Sequence, residues 1–312
     1  MTAAPAPWRS CNAWRRFGYG LLPGDLFSYL LHMRPAEWPI MAAHTALGWF
    51  LALGLLPALR AERLGTGLWA LAIWVVLLNG GTLAINSVFD RDAGDIGYLR
   101  SPPPVPRGLL AFSVGLLALG QLLAFTLTLQ FALVYAACFA MSVAYSVPPL
   151  RLKAVGGVDW LINMWGFGTF TPYAAWAASG RVLDVEHGLI LLAFCPLFAS
   201  FYPLTQLYQF EEDTARGDRT LAIILGMKSS LAVAIGCALL AFAVFAAAGL
   251  MAHLALWQWA GLAFALLAWL WVLLPWYARH VRMTMRQHQR GMYAALTAWA
   301  ITDVVVLLAF AL

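Results

Sequence analysis

The feature that most limits how this chain can fold is the length of its apolar runs. Several reach the roughly 20 residues that a helix needs to cross a bilayer, longer than a soluble core helix requires. Composition agrees: only 11% of the 312 residues are charged and the mean hydropathy is +0.77, against about 25% charged residues in soluble domains. Nine spans are predicted, at 37–59, 67–89, 108–128, 130–147, 157–179, 187–209, 228–251, 255–277 and 291–311. They are expected to be helices, because an open chain in lipid can satisfy its backbone in no other way. Only Thr128, Leu129 and Gln130 separate the third span from the fourth. The expected fold is an all-α membrane protein with nine transmembrane helices bundled around a central cavity. Residues 1–36 are read as a cytoplasmic N-terminal segment and 37–312 as a single domain.

Charge sets the orientation. Of the 19 Lys and Arg, Arg9, Arg15, Arg16 and Arg34 precede the first span, and only Arg60, Arg63 and Arg181 fall in odd-numbered loops. The other twelve follow spans two, four, six and eight, so the N-terminus and the even-numbered loops are expected in the cytoplasm. This bias accounts for the net charge of +5 without a nucleic-acid partner. The first 36 residues carry arginines and prolines but no apolar run of the kind a secretory leader needs. Within them FGYGLLPGDLFSYLLHM (17–33) reads equally as an interfacial amphipathic helix or an irregular tail. Cys11, Cys138, Cys195 and Cys237 have no paired spacing, and the six histidines are scattered, so no zinc or haem site is indicated. A nucleotide-binding GxxxxGK[ST] loop is absent as well.

Acid is scarce and concentrated. Of 14 Asp and Glu, Asp90, Asp92 and Asp95 follow span two, and Glu211, Glu212, Asp213 and Asp218 follow span six. Both clusters fall on the side where the positive-inside rule favours base, and four spans separate them, which hints at an internal duplication. Asn86 and Asp90 share a helix face, as do Gln209 and Asp213, being four residues apart. Two such faces meeting over a cavity offer hard oxygen ligands. That donor set suits Mg²⁺, which takes one or two carboxylates together with substrate phosphate oxygens. Arg100, Arg151, Lys153 and Arg219 supply nearby cations for the remaining phosphate charge.

With these residues in view, the chain resembles the UbiA-type superfamily of intramembrane prenyltransferases from about Met33 to Leu312. NSVFDRDAGD (86–95) is similar to the family's NDxxDxxxD, with Ser87 in place of the second residue and the last acid displaced by one. QFEEDTARG (209–217) is similar to DxxxDxxxG, with Gln209 at the first position. YSVPPLRLK (145–153) and MRPAEW (33–38) match two further family stretches. The resemblance implies nine helices and an isoprenyl diphosphate donor that ionises to an allylic cation with Mg²⁺ as cofactor. Implied metal ligands are Asn86, Asp90, Asp213, either Asp92 or Asp95, and Gln209 or Glu212. Arg100, Arg151, Lys153 and Arg219 would grip diphosphate, while Tyr145, Asn163 and Tyr208 would line the chamber. Catalytic weight falls on Asn86, Asp90, Asp213, Lys153 and Tyr145.

The expected activity moves the prenyl group to an aromatic or lipid acceptor, within membrane lipid. A terpene cyclase of the same family is the alternative, and a non-catalytic relative is a more distant one. A transporter is disfavoured because the acid gathers at one face instead of the bilayer midplane. Asp159 and Asp303 are left outside the expected site.

Overall fold

The computed structural model describes residues 12–23, 25–90, 98–211, 214, 217 and 219–312. The predicted metal ligands Asp92, Asp95, Glu212 and Asp213 lie outside them. Two short helices come first, α1 (Ala13–Leu21) and α2 (Leu26–His32), divided near Pro23. The bundle then comprises α3 (Trp38–Leu53), α4 (Ala61–Asp90), α5 (Leu109–Ala124) and α6 (Leu129–Ser146). α7 (Val158–Asn163) runs through a π-helical stretch (Met164–Phe170) into α8 (Thr171–Ala178). α9 (Val185–Leu207), the short α10 (Leu221–Leu225), α11 (Met227–Met251), α12 (Leu256–Arg279) and α13 (Met285–Phe310) follow.

Six helices are long and apolar enough to cross a membrane: α4, α6, α9, α11, α12 with its 3-10 extension, and α13. α3 and α5 are shorter than expected. α3 has 16 residues instead of the 23 expected, because Gly54 takes a φ of +78° and turns the chain. α5 also has 16, ending at Ala124 well before the expected boundary. Thr128 then caps α6 by accepting a hydrogen bond from the Phe131 amide at 3.1 Å. The narrow predicted gap between spans three and four is thus a real break with a built N-cap. Asp184 caps α9 through the His187 amide, and Thr284 and Gln287 form a reciprocal capping box on α13.

α9 is the central helix, with 67% of its apolar window buried. It packs along α11, α13 and the π-helical stretch despite Pro196 and Pro203 in its interior. α12 pairs with α13, and α3 lies so close to α8 that a Cβ at Gly48 would meet the Pro172 carbonyl. Leu122, Phe264, Leu267 and Trp271 are exposed, as an outer surface facing lipid tails requires. A second π-helical stretch, Ala72–Asn79, lies within α4. π-helical turns are rare and often mark functional sites.

Candidate active site

Two loops are drawn together first. The backbones of Val155 and Arg219 pair across the segments that follow α6 and α9. The approach needs Gly156, where a Cβ would stand 2.6 Å from the Arg219 carbonyl oxygen. Arg151 holds a left-handed φ of +34°, an unusual backbone for a residue with a side chain, as does Arg34 at +50°. Both line a cavity of about 390 Å³.

That cavity has two ends. Its polar end gathers Arg34, Glu37, Asn86, Asp90, Arg151, Lys153, Tyr208 and Gln209. Asp90 pairs with Lys153, Arg34 with Glu37, and Asn86 accepts a hydrogen bond from Ser146. The other end holds His44, Phe167, Phe198, Phe201 and Trp299. Lining residues recur about every turn along α3 (Met41, His44), α9 (Phe198 to Gln206) and α13 (Met292, Leu296, Trp299). At a rise of 1.5 Å per residue, the cavity follows these helices for about 10–12 Å. A second, more apolar cavity of about 200 Å³ lies between the two π-helical stretches and is lined by Asn79, Asn163 and Phe167 among others. Asn86, Tyr145, Met41 and Phe167 line both.

Of the residues expected from sequence, the described structure gathers Asn86, Asp90, Tyr145, Arg151, Lys153, Tyr208 and Gln209 around the larger cavity and Asn163 on the smaller. Arg100 and Arg219 are exposed and do not line either cavity; the Arg100 carbonyl accepts from the Arg15 guanidinium. Asn86, Asp90 and Gln209 present hard oxygen donors at one end, which fits Mg²⁺ bound together with phosphate oxygens and water. Among the described residues no three His, Cys, Asp or Glu side chains cluster; Asn86, Asp90 and Gln209 offer one carboxylate and two amide oxygens, and the second carboxylate at this end, Glu37, is paired with Arg34.

Sequence reasoning missed two buried polar groups. Asp159, fully buried on α7, accepts hydrogen bonds from the Gly157 amide (2.8 Å), Gln206 Nε2 (2.8 Å) and Tyr202 Oη (3.3 Å). Gln206 also accepts from the Ala222 amide at 3.0 Å, tying α9 to α10. His44 bonds Asp303 through Nδ1 at 3.0 Å and the Gly168 carbonyl through Nε2 at 3.2 Å. The one-turn spacing of Tyr202 and Gln206 was a readable sign that α9 presents a polar face; nothing local pairs His44 with Asp303.

Known proteins give the arrangement its relatives. The sequence model of the UbiA prenyltransferase family matches residues 38–301. The C(50) beta-cyclic carotenoids biosynthesis protein LbtBC of Dietzia sp. is 27% identical over 256 residues, 80% of this chain and 56% of that protein. The digeranylgeranylglyceryl phosphate synthase of Natronomonas pharaonis is 32% identical over 165 residues, 52% of this chain and 58% of that one. The chain therefore spans less than three fifths of the length of these curated relatives. A UbiA homolog from Archaeoglobus fulgidus, solved bound to GPP and Mg²⁺, superposes with a TM-score of 0.64 at 20% identity, covering 88% of this chain and 99% of that one. With its helices, its paired polar and aromatic cavity ends, and a family match over most of its length, the chain belongs to the UbiA prenyltransferase family.

Proposed function

We propose that this protein is a Mg²⁺-dependent intramembrane prenyltransferase. It takes an isoprenyl diphosphate and passes the prenyl group to an apolar, lipid-class acceptor, releasing diphosphate. One observation carries the reading: a single cavity joins the Asp90–Asn86–Lys153–Arg151 end to an aromatic end about 10–12 Å away along the helices. An isoprenyl diphosphate has that same division, a charged head and an apolar tail. The lipid class of the acceptor is supported by the carotenoid and glyceryl phosphate relatives and by the apolar walls of the second cavity.

Bound Mg²⁺ supplies charge neutralisation for the diphosphate. Asn86, Asp90 and Gln209 would hold it, with Asp213 and one of Asp92 or Asp95 from the neighbouring acidic motifs. Arg151 and Lys153 grip phosphate oxygens, so that negative charge on the leaving group is stabilised as the C–O bond breaks. Lys153 is already held at the polar end by Asp90, and a ligand phosphate would draw it from carboxylate to phosphate. Phe167, Phe198, Phe201 and Trp299 surround the tail with aromatic rings, which favour nearby positive charge and exclude water. Nine membrane spans are read from the apolar runs, and a cytoplasmic N-terminus and polar end from the positive-inside pattern.

The test is direct. Purified protein is incubated with radiolabelled geranyl, farnesyl and geranylgeranyl diphosphates, Mg²⁺ and a membrane-lipid extract. A labelled conjugate larger than the donor supports transfer; a labelled hydrocarbon alone supports cyclisation instead.

A further inference from the structure

We infer that Tyr145, Tyr202 and Asp159 form a proton path that clears the proton released when the prenyl group joins its acceptor. The inference rests on the prenyl-transfer reading above. Bond formation between an allylic cation and a neutral acceptor leaves one proton too many, and an apolar cavity inside a helix bundle has little water to take it.

The hydrogen-bond directions follow from counting protons. The Asp159 carboxylate accepts from the Gly157 amide, from Gln206 and from Tyr202. A phenol has one proton, and Tyr202 gives its own to Asp159. Its 2.9 Å contact with Tyr145 must therefore be a bond donated by Tyr145. The Tyr145 oxygen is left with acceptor capacity, at the one tyrosine that lines both cavities. In a concerted shift the proton leaving the acceptor would go to Tyr145 Oη, the Tyr145 proton to Tyr202 Oη, and the Tyr202 proton to Asp159 Oδ2. Three O–H bonds form as two O–H bonds and the acceptor's X–H bond break, and no redox partner is required. Tyr145 faces both cavities and Tyr202 the larger one, while Asp159 faces neither and acts through Tyr202. Asp159 is fully buried and lines neither cavity, so it is placed to receive a proton without touching the cation.

The experiment separates ionisation from proton removal. Wild type, Tyr145→Phe, Tyr202→Phe and Asp159→Asn are given radiolabelled geranyl and geranylgeranyl diphosphates with Mg²⁺ and a membrane-lipid extract. Released diphosphate is measured alongside the ratio of conjugate plus hydrocarbon, whose proton leaves by the path, to prenyl alcohol, whose proton passes to the water that forms it. Diphosphate release is expected to stay within about threefold of wild type in Tyr202→Phe and Asp159→Asn; Tyr145→Phe, at a residue that lines both cavities, is compared by its product ratio alone. The product ratio is expected to fall at least tenfold, as water captures the cation. Tyr202→Phe keeps the ring and its packing, so its ratio decides the matter if Asp159→Asn fails to fold. Unchanged ratios would overturn the path, as would a loss of release in step with product from Tyr202→Phe protein that melts like wild type. Failure of wild type to release diphosphate from any donor would instead overturn the transferase reading itself, and the path with it.

Discussion

The ends of α4 and α9 both reach the same cavity, yet they use their polar residues in opposite ways. At the end of α4, Asn86 and Asp90 stand one turn apart and line the cavity, held by Ser146 at the end of α6 and by Lys153 in the turn that follows it. At the end of α9, Gln206 and Tyr202 spend their hydrogen bonds on Asp159 and on the Ala222 amide, and among the described residues Gln209 alone of the second motif lines the cavity, through an amide. The first end presents charge to the cavity, where the proposed function places the diphosphate. The second builds a frame that fixes α7, α9 and α10 around it.

The largest effect should come from the charged end. Asp90→Ala is expected to lower the initial rate of diphosphate release at least 100-fold, about 2.7 kcal/mol of barrier. Gln209→Ala should cost no more than about tenfold, near 1.4 kcal/mol. Equal losses at the two positions would break the comparison. Removing Mg²⁺ with EDTA should abolish release in wild type, and added Mg²⁺ should restore it.

The frame should answer in stability. Gln206→Leu strips a donor from Asp159 and orphans the buried Ala222 amide, which is expected to cost about 2–4 kcal/mol. A thermal melt in detergent should show this as a lowered midpoint, larger than that of Gln209→Ala. If Gln206→Leu melted like wild type, the frame would not be a frame.

The smallest effect concerns the support beside α4. α2 packs through Phe27 and Leu31 on Leu99, and Arg15 holds the carbonyls of Arg100 and Ser101. Burial lowers the His32 pKa to about 4 from the usual 6.5. The undocked state therefore takes up a proton first as pH falls, so docking is strongest above pH 6.5 and weakens down through pH 4. At pH 5.5 the loss is about 1 kcal/mol. Hydrogen exchange of residues 98–107, corrected for intrinsic rate, should speed up relative to residues 219–225. His32→Asn should remove that acid response; if the wild-type response were absent, His32 would not be governing the docking.

Much of this architecture could be read from the chain. Apolar length and hydropathy placed helices in each expected window, and the four-residue spacing of Asn86 and Asp90 foretold their shared face. Helix lengths were less legible: Gly54 shortens α3 through a backbone conformation that hydropathy does not register. The hub at Asp159 was hidden because Tyr202 and Gln206 lie 43 and 47 residues away, and Asp303 meets His44 across 259 residues. Arg100 shows the reverse case. It follows an acidic motif closely in sequence, but its backbone is engaged by Arg15 and its side chain lies outside the cavity lining.

The central claim is that one cavity ionises an isoprenyl diphosphate at its polar end. It is tested most directly by measuring Mg²⁺-dependent diphosphate release from labelled geranyl, farnesyl and geranylgeranyl diphosphates by wild type, Asp90→Ala and Asp213→Ala. The account predicts release by wild type that EDTA stops and that both substitutions abolish. Release that persists in Asp90→Ala, or that ignores EDTA, would contradict it.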